Sequence, residues 1–132
     1  MSSSHIKRLM MPRSWPLPRK TSVWVQKPDP CGHNIENCMP MGIILRDVLG
    51  VAHNRRESKK ILHSRKILVD GRIETALGRG VGLMDVLTVG ENNFRCVLDI
   101  NGKLRYRPIS AKKASSKICR VMGKTTISGG KT

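Results

Sequence analysis

The chain has 132 residues, which allows one domain, or one small domain with an extended arm. Its 25 Lys and Arg against 9 Asp and Glu leave a net charge of +16, an excess with no internal counterweight, so much of it is expected to face a polyanion. Hydrophobic content of 39% supports a modest core and argues against a wholly disordered tail. Aromatic content of 3% argues against a module that stacks several bases on an aromatic sheet.

Residues 1–40 are rich in Pro and in basic side chains, namely Lys7, Arg8, Arg13, Arg19, Lys20 and Lys27. The segment reads as an extended arm with at most short helical pieces, such as Ser4 to Met11. Prolines deny it a regular helix and its charge denies it a core of its own. Trp15 and Trp24 are candidates to pin it to the folded body or to a partner. From Met41 onward, Ile43, Ile44, Leu45, Val48 and Leu49 form one apolar helical face that Gly50 ends. Asn54 is placed to cap a second helix over residues 55–64, with Ser58, Ile61 and Leu62 inward and Arg55, Arg56, Lys59 and Lys60 outward.

Residues 67–73 then read as a strand, an Asp70-Gly71 turn and a return strand. Gly78, Gly80 and Gly82 read as a flexible connection, followed by a strand candidate over 83–89. Alternating Phe94, Cys96 and Leu98 predict the first arm of another hairpin, turned by Asn101-Gly102 and returning over 104–108. Ser110 is a candidate cap for a short basic helix through Lys117. A last strand is expected over 118–127, ahead of Ser128-Gly129-Gly130, which looks like a hairpin turn lacking its second strand.

Membrane insertion and export find no support. The longest apolar stretch, residues 39–45, contains Pro40 and Gly42 and stops at Arg46, far short of the roughly 18–20 residues of a bilayer span. No secretory apolar region follows Met1, and Pro12, Pro16 and Pro18 break any amphipathic transit helix. Four cysteines without a signal peptide read as reduced thiols, which makes a cytoplasmic location the default.

Residues 41–73 are the most informative unit, because two helices on a small sheet can present Arg46, Arg55, Arg56, Lys59, Lys60, Arg65, Lys66 and Arg72 on one surface. Arg55/Lys59 and Arg56/Lys60 are like-charged i, i+4 pairs that weaken an isolated helix by a few tenths of a kcal/mol each, a sign that a polyanion reverses. An ordinary solvated helix face is the plainer alternative, with Glu57 as its only acid.

Residues 45–50 (LRDVLG), 55–61 (RRESKKI) and 66–72 (KILVDGR) resemble the S-four-type RNA-binding domain found in ribosomal proteins, some pseudouridine synthases and some tRNA synthetases. The flanks HIKRL at 5–9, PRSWP at 12–16, GLMDV at 82–86 and GKTT at 123–126 resemble the e-type ribosomal protein S-four family of archaeal and eukaryotic small subunits. The resemblance covers essentially the whole chain. It implies an α+β fold: a basic extended N-terminal arm over 1–40, an αL-type S-four RNA-binding domain (two helices on a small sheet) over 41–89, and part of a β-rich central domain over 90–132. The family continues to a small β-barrel with a KOW motif, so the chain is expected to be C-terminally incomplete.

The same resemblance implies ribosomal RNA of the small subunit and neighbouring small-subunit ribosomal proteins as partners, a cytoplasmic ribosomal location, no membrane and no cofactor. The expected RNA contacts are Lys7, Arg8, Arg13, Arg19 and Lys20 in the arm, with the eight cations of the helical unit. Cys31-Gly32-His33 departs from the family, where Gly-Pro-His is commoner. Cys31, His33 and Cys38, with His5 or His53 as a fourth donor, are weak zinc candidates, because their spacing lacks the paired CxxC knuckle. Cys96 and Cys119 read as small hydrophobes in strands.

Catalytic motifs are missing from the sequence: it has no GxxxxGK[ST] and no HExxH, and no Ser-His-Asp order stands out. Asp70 is better explained by its turn and Glu57 by helix pairing. The alternatives to a structural RNA-binding protein are a fragment of an RNA-modifying enzyme of the pseudouridine synthase type and a free-standing S-four-type regulatory protein. The first needs a catalytic domain larger than everything beyond residue 75, and the second would lack the basic arm with Trp15-Pro16.

Overall fold

The computed structural model describes residues 3–131. Positions 1, 2 and 132, the ends of the expected 1–40 and 90–132 segments, lie outside the described residues. The chain is mixed α and β. Strands β1 (His5–Lys7) and β2 (Trp24–Gln26) form an antiparallel pair, and a 3-10 turn over Arg8–Met10 follows β1. After β3 (Cys38–Pro40) comes α1 (Met41–Ile43), which widens without interruption into a π-turn over Ile44–Val48. Helix α2 spans Arg55–His63. Strands β4 (Ile67–Val69), β5 (Arg72–Ile73), β6 (Gly80–Gly82), β7 (Val86–Val89), β8 (Asn92–Leu98) and β9 (Leu104–Ile109) follow, then α3 (Ala111–Ala114). Five of them make an antiparallel sheet in the order β5-β4-β7-β8-β9, while β6 pairs with β3. Among the described residues no helix is long and apolar enough to cross a membrane.

Local chemistry accounts for the elements the sequence predicts well. Gly50 ends the first helical segment at φ +65°, and the π-turn is closed by Leu49 N donating to Ile44 O over 2.8 Å. Residues 41–45 are buried, with Gln26 and Leu77 lying over Gly42 and the chain at 77–79 accepting from Met41 N and Gly42 N. Asp70 and Gly71 both take positive φ, as a two-residue type I′ hairpin turn demands, and Gly102 does so in the second hairpin.

The basic arm departs most from expectation. Of Ser4 to Met11 only Arg8–Met10 is helical, as a short 3-10 piece; His5, Ile6 and Lys7 form β1 instead, pairing with Gln26, Val25 and Trp24. The segment is extended, but it is not detached. Met11, Trp15, Val25 and Met39 are buried in the same apolar cluster as Ile44, Leu62, Leu87 and Tyr106. Trp15 is fully buried, its indole Nε1 donates to Cys38 O at 2.8 Å, and Leu104 N donates to Ser14 O at 2.7 Å. The arm therefore borrows a core from the body, which compensates for the entropy of ordering a proline-rich chain.

The glycine-rich run is likewise not a loose connection. Gly80–Gly82 is β6, fully buried, and the Cys31 and His33 side chains lie directly on it, as Asp29 does on the preceding Gly78. A Cβ at Gly78 would lie 2.1 Å from Asp29 Oδ2, one at Gly80 2.7 Å from Cys31 Sγ, and one at Gly82 2.3 Å from the His33 ring. Alternate glycines meet alternate side chains, so the glycines permit close approach and not flexibility.

Further along, residues 83–85 form a turn with Met84 at φ +68°, so the strand predicted from 83 begins at Val86. Helix α3 ends at Ala114 and not at Lys117. Among the described residues, 118–127 form no strand and are exposed, and Cys119 is exposed with them instead of sitting in a strand. The turn at Ser128-Gly129-Gly130 does form, with Ile127 N donating to Lys131 O at 2.9 Å.

Candidate nucleic-acid interface

Helix α2 starts on a reciprocal cap. Glu57 N donates to Asn54 Oδ1 at 2.9 Å, and the Glu57 carboxylate accepts from His53 N at 2.7 Å. The one acid of the helix is thus committed to its first turn, where the helix dipole also favours it. Ser58 and Leu62 face the core. On the far side, Arg56, Lys59, Lys60 and His63 line one shallow surface depression. Arg55, Arg56, Lys59 and Lys60 are exposed, and none takes part in an ion pair among the described residues.

The remaining expected cations divide into groups. Arg46 is half-buried and donates from Nε and Nη2 to Asp47 Oδ2, at 3.1 and 2.7 Å, and lines a recess with Arg55. Lys7, Arg19 and Lys20 border a second recess on the arm, and Arg13 meets Arg19 at a third. Arg65 (φ +58°), Lys66 and Arg72 are exposed near and along the β4–β5 hairpin. Arg8 does not belong with them. It is 8% exposed, and its guanidinium donates to Pro18 O at 2.6 Å and to Ser22 Oγ at 3.0 Å, holding the arm's loop closed. Burial and internal bonding make Arg8 a scaffold residue and remove it from the expected contact set.

A second basic face escaped the sequence reading. In β9, Leu104 and Tyr106 are buried while Arg105 and Arg107 are exposed. Arg107 lies opposite Arg95 of β8, a like-charged cross-strand pair that would repel unless one side chain turned away. Arg95 does so, donating to Lys113 O at 2.6 Å and fixing α3 against the sheet. The signal was present in the strict apolar–Arg alternation of Leu104-Arg105-Tyr106-Arg107.

Cys31, His33 and Cys38 border one recess, but they do not assemble a ligand set. Cys31 Sγ and Cys38 Sγ are 3.9 Å apart, but His33 Nε2 turns to Asp85 Oδ2 at 2.9 Å. Among the described residues no group of three His, Cys, Asp or Glu side chains is arranged to hold a metal ion. Burial, with the nearby Cys31, pushes the Cys38 thiol up to about 12, and burial raises Cys96 to about 11, so neither is an activated thiolate at neutral pH.

Asp85 is 4% exposed and also accepts from Gly82 N at 2.8 Å and from the Lys117 ammonium. Lys117 reaches Asp70 as well, at 2.7 Å, and Val86 N donates to Asp70 Oδ1 at 2.9 Å. Partial burial opposes ionisation of Asp70, but the Lys117 and Val86 bonds outweigh it and hold its carboxyl below the usual range. These carboxylates tie the segment after α3 to the sheet.

Comparison with known proteins gives a consistent result. The family described as Ribosomal family S4e matches residues 90–132, and the RS4NT (NUC023) domain matches residues 2–36. The small ribosomal subunit protein eS4 of Methanocella arvoryzae is 44% identical over 133 residues, covering 99% of this chain and 56% of that protein. The eS4 protein of Methanothermobacter thermautotrophicus is 42% identical, covering 99% and 55%. Among solved structures, the 30S ribosomal protein S4e from Thermoplasma acidophilum aligns with a TM-score of 0.58 at 28% identity, covering 70% of this chain and 48% of that one. The chain spans about half the length of the curated relatives it matches.

Proposed function

The chain belongs to the S4e family of ribosomal proteins, and on that premise we propose that it is a structural constituent of the small ribosomal subunit, supporting translation by holding ribosomal RNA. The observation that carries the reading is helix α2, whose Arg56, Lys59, Lys60 and His63 crowd one surface while its single acid is bound at the cap. Such a surface is electrostatically unfavourable alone and favourable against phosphates. Arg55, Arg65, Lys66 and Arg72 extend it, and Lys7, Arg13, Arg19 and Lys20 add contacts from the 1–40 arm. The fold positions these groups and supplies rigidity, so recognition rests on RNA shape and backbone charge.

The three segments take different parts in this proposal. Residues 1–40 brace the body and reach outward, residues 41–89 form the S-four-type phosphate-binding unit, and residues 90–132 add the β8–β9 sheet with Arg105 and Arg107. Neighbouring small-subunit proteins and a cytoplasmic ribosomal location belong to the same proposal. An RNA-modifying role for the Asp70 and Asp85 carboxylates is disfavoured, because both are bound to backbone amides of Val86 and Gly82 and to Lys117.

The salt dependence of RNA binding tests the mechanism. With six to ten phosphates engaged, log K is expected to fall against log salt with a slope of roughly −4 to −9. A slope near −1 in a filter-binding titration would contradict it.

A further inference from the structure

Trp24 is 53% exposed in a chain that carries only two tryptophans. An indole left half in water forgoes burial that this small core could use, as Trp15 does. Its position is set by the β1–β2 register. Ile6 pairs with Val25, and Val25 is 5% exposed, so the face carrying those two turns to the core. Lys7 pairs with Trp24 and His5 with Gln26, so these four share the opposite face, on which His5, Lys7 and Trp24 are exposed while the Gln26 amide reaches over Gly42. The Trp24 ring is steadied by His5, whose ring meets it edge-to-face with centroids 4.8 Å apart and an interplanar angle of 81°. An exposed aromatic that is already oriented loses little entropy when something stacks on it.

Cations from a different part of the chain meet this platform. His5, Trp24, Gln26, Arg46 and Arg55 border one recess of about 180 Å³. That is below the roughly 300–1,000 Å³ of sites that enclose a small molecule, so it suits a single flat ring entered from an open side. Arg55 has no acidic partner among the described residues. Arg46 is partly neutralised by Asp47, which also fixes its direction. A flat hydrophobic ring flanked by guanidinium groups has the chemistry of a nucleobase platform with its adjoining phosphate sites.

We propose that Trp24 is a stacking platform for one unpaired nucleotide of the bound RNA, with Arg46 and Arg55 on the phosphates that flank it. The inference rests on the RNA-binding reading and adds to it a local preference for an extruded base over continuous duplex. Scarcity of aromatics sets the number at one, since no second exposed Trp, Tyr or Phe adjoins Trp24 on this face among the described residues.

The test compares two RNA hairpins, identical except that one carries a single bulged adenosine, titrated against the 132-residue chain and its Trp24→Ala and Trp24→Phe variants. The chain is expected to prefer the bulged RNA. Trp24→Ala should lose about five- to one-hundred-fold in affinity for it and leave the fully paired RNA unchanged. Trp24→Phe should recover most of the loss. Emission from Trp24 in the wild type should be quenched by the bulged RNA only, and emission of buried Trp15 in the variants reports that the fold is intact. Equal binding of both RNAs by the wild type, or no effect of Trp24→Ala, would overturn the platform while leaving the phosphate-binding reading in place. The latter result is the one expected if a protein neighbour covers Trp24 instead. Failure of the wild type to bind either RNA at low salt would overturn both.

Discussion

The double substitution Arg56→Glu with Lys60→Glu is expected to weaken RNA binding by on the order of 10²- to 10³-fold at ~0.1 M salt, and to flatten the salt slope by roughly 3 to 4. Both side chains are exposed on α2 and both border the depression that Lys59 and His63 share. Replacing two cations by two anions removes two phosphate contacts and adds two repulsions, an effective change of about four charges at the interface. The fold should hold, because neither residue is buried, capping or ion-paired, so a thermal melt should report a stability change within about 0.5 kcal/mol. Unchanged affinity would remove α2 from the interface.

Trp15→Ala should be the most damaging single change to stability, costing about 3–5 kcal/mol. Trp15 is fully buried in the cluster shared with Ile44, Leu62 and Leu87, and its indole donates to Cys38 O over 2.8 Å within the 1–40 segment. Truncation leaves a cavity between arm and body and an acceptor without its donor, a further loss of about 1–3 kcal/mol where water cannot enter. Against a typical domain stability of about 5–15 kcal/mol, that is a large fraction. Chemical denaturation should show a much lower midpoint for Trp15→Ala and a smaller drop for Trp15→Phe, which keeps most of the packing. An unaltered midpoint would mean that the arm does not unfold with the rest of the chain.

Legibility followed the range of the interactions. Helix α2, its Asn54 cap and the turns at Asp70-Gly71 and Asn101-Gly102 were readable because neighbours within a few residues determine them. The glycines at 78, 80 and 82 were misread because their partners Asp29, Cys31 and His33 lie about fifty residues earlier. Only the fold reveals that one alternation fits into the other. Arg8 carried the same charge as its exposed neighbours, and only the loop that wraps back to Pro18 and Ser22 turned it inward.

The candidate site shows the same division. Arg55, Arg56, Lys59 and Lys60 were legible from helical periodicity on a well-capped segment. The face of Arg105 and Arg107 was legible in principle from the alternation in β9. Trp24 required the β1–β2 register, because the intervening arm residues carry no periodic pattern that says which side of the strand meets water. Residues 118–127 have strand-forming composition, but a strand exists only with a neighbour to pair with, and composition does not name one.

The most direct test is sedimentation of the tagged chain with small ribosomal subunits through a sucrose gradient, with and without prior ribonuclease treatment. Migration with the subunit peak that survives a salt wash, and return to the top of the gradient after ribonuclease, is the expected result. A chain that stays at the top at low ionic strength, in the presence of intact subunits lacking their own copy of the protein, would contradict it.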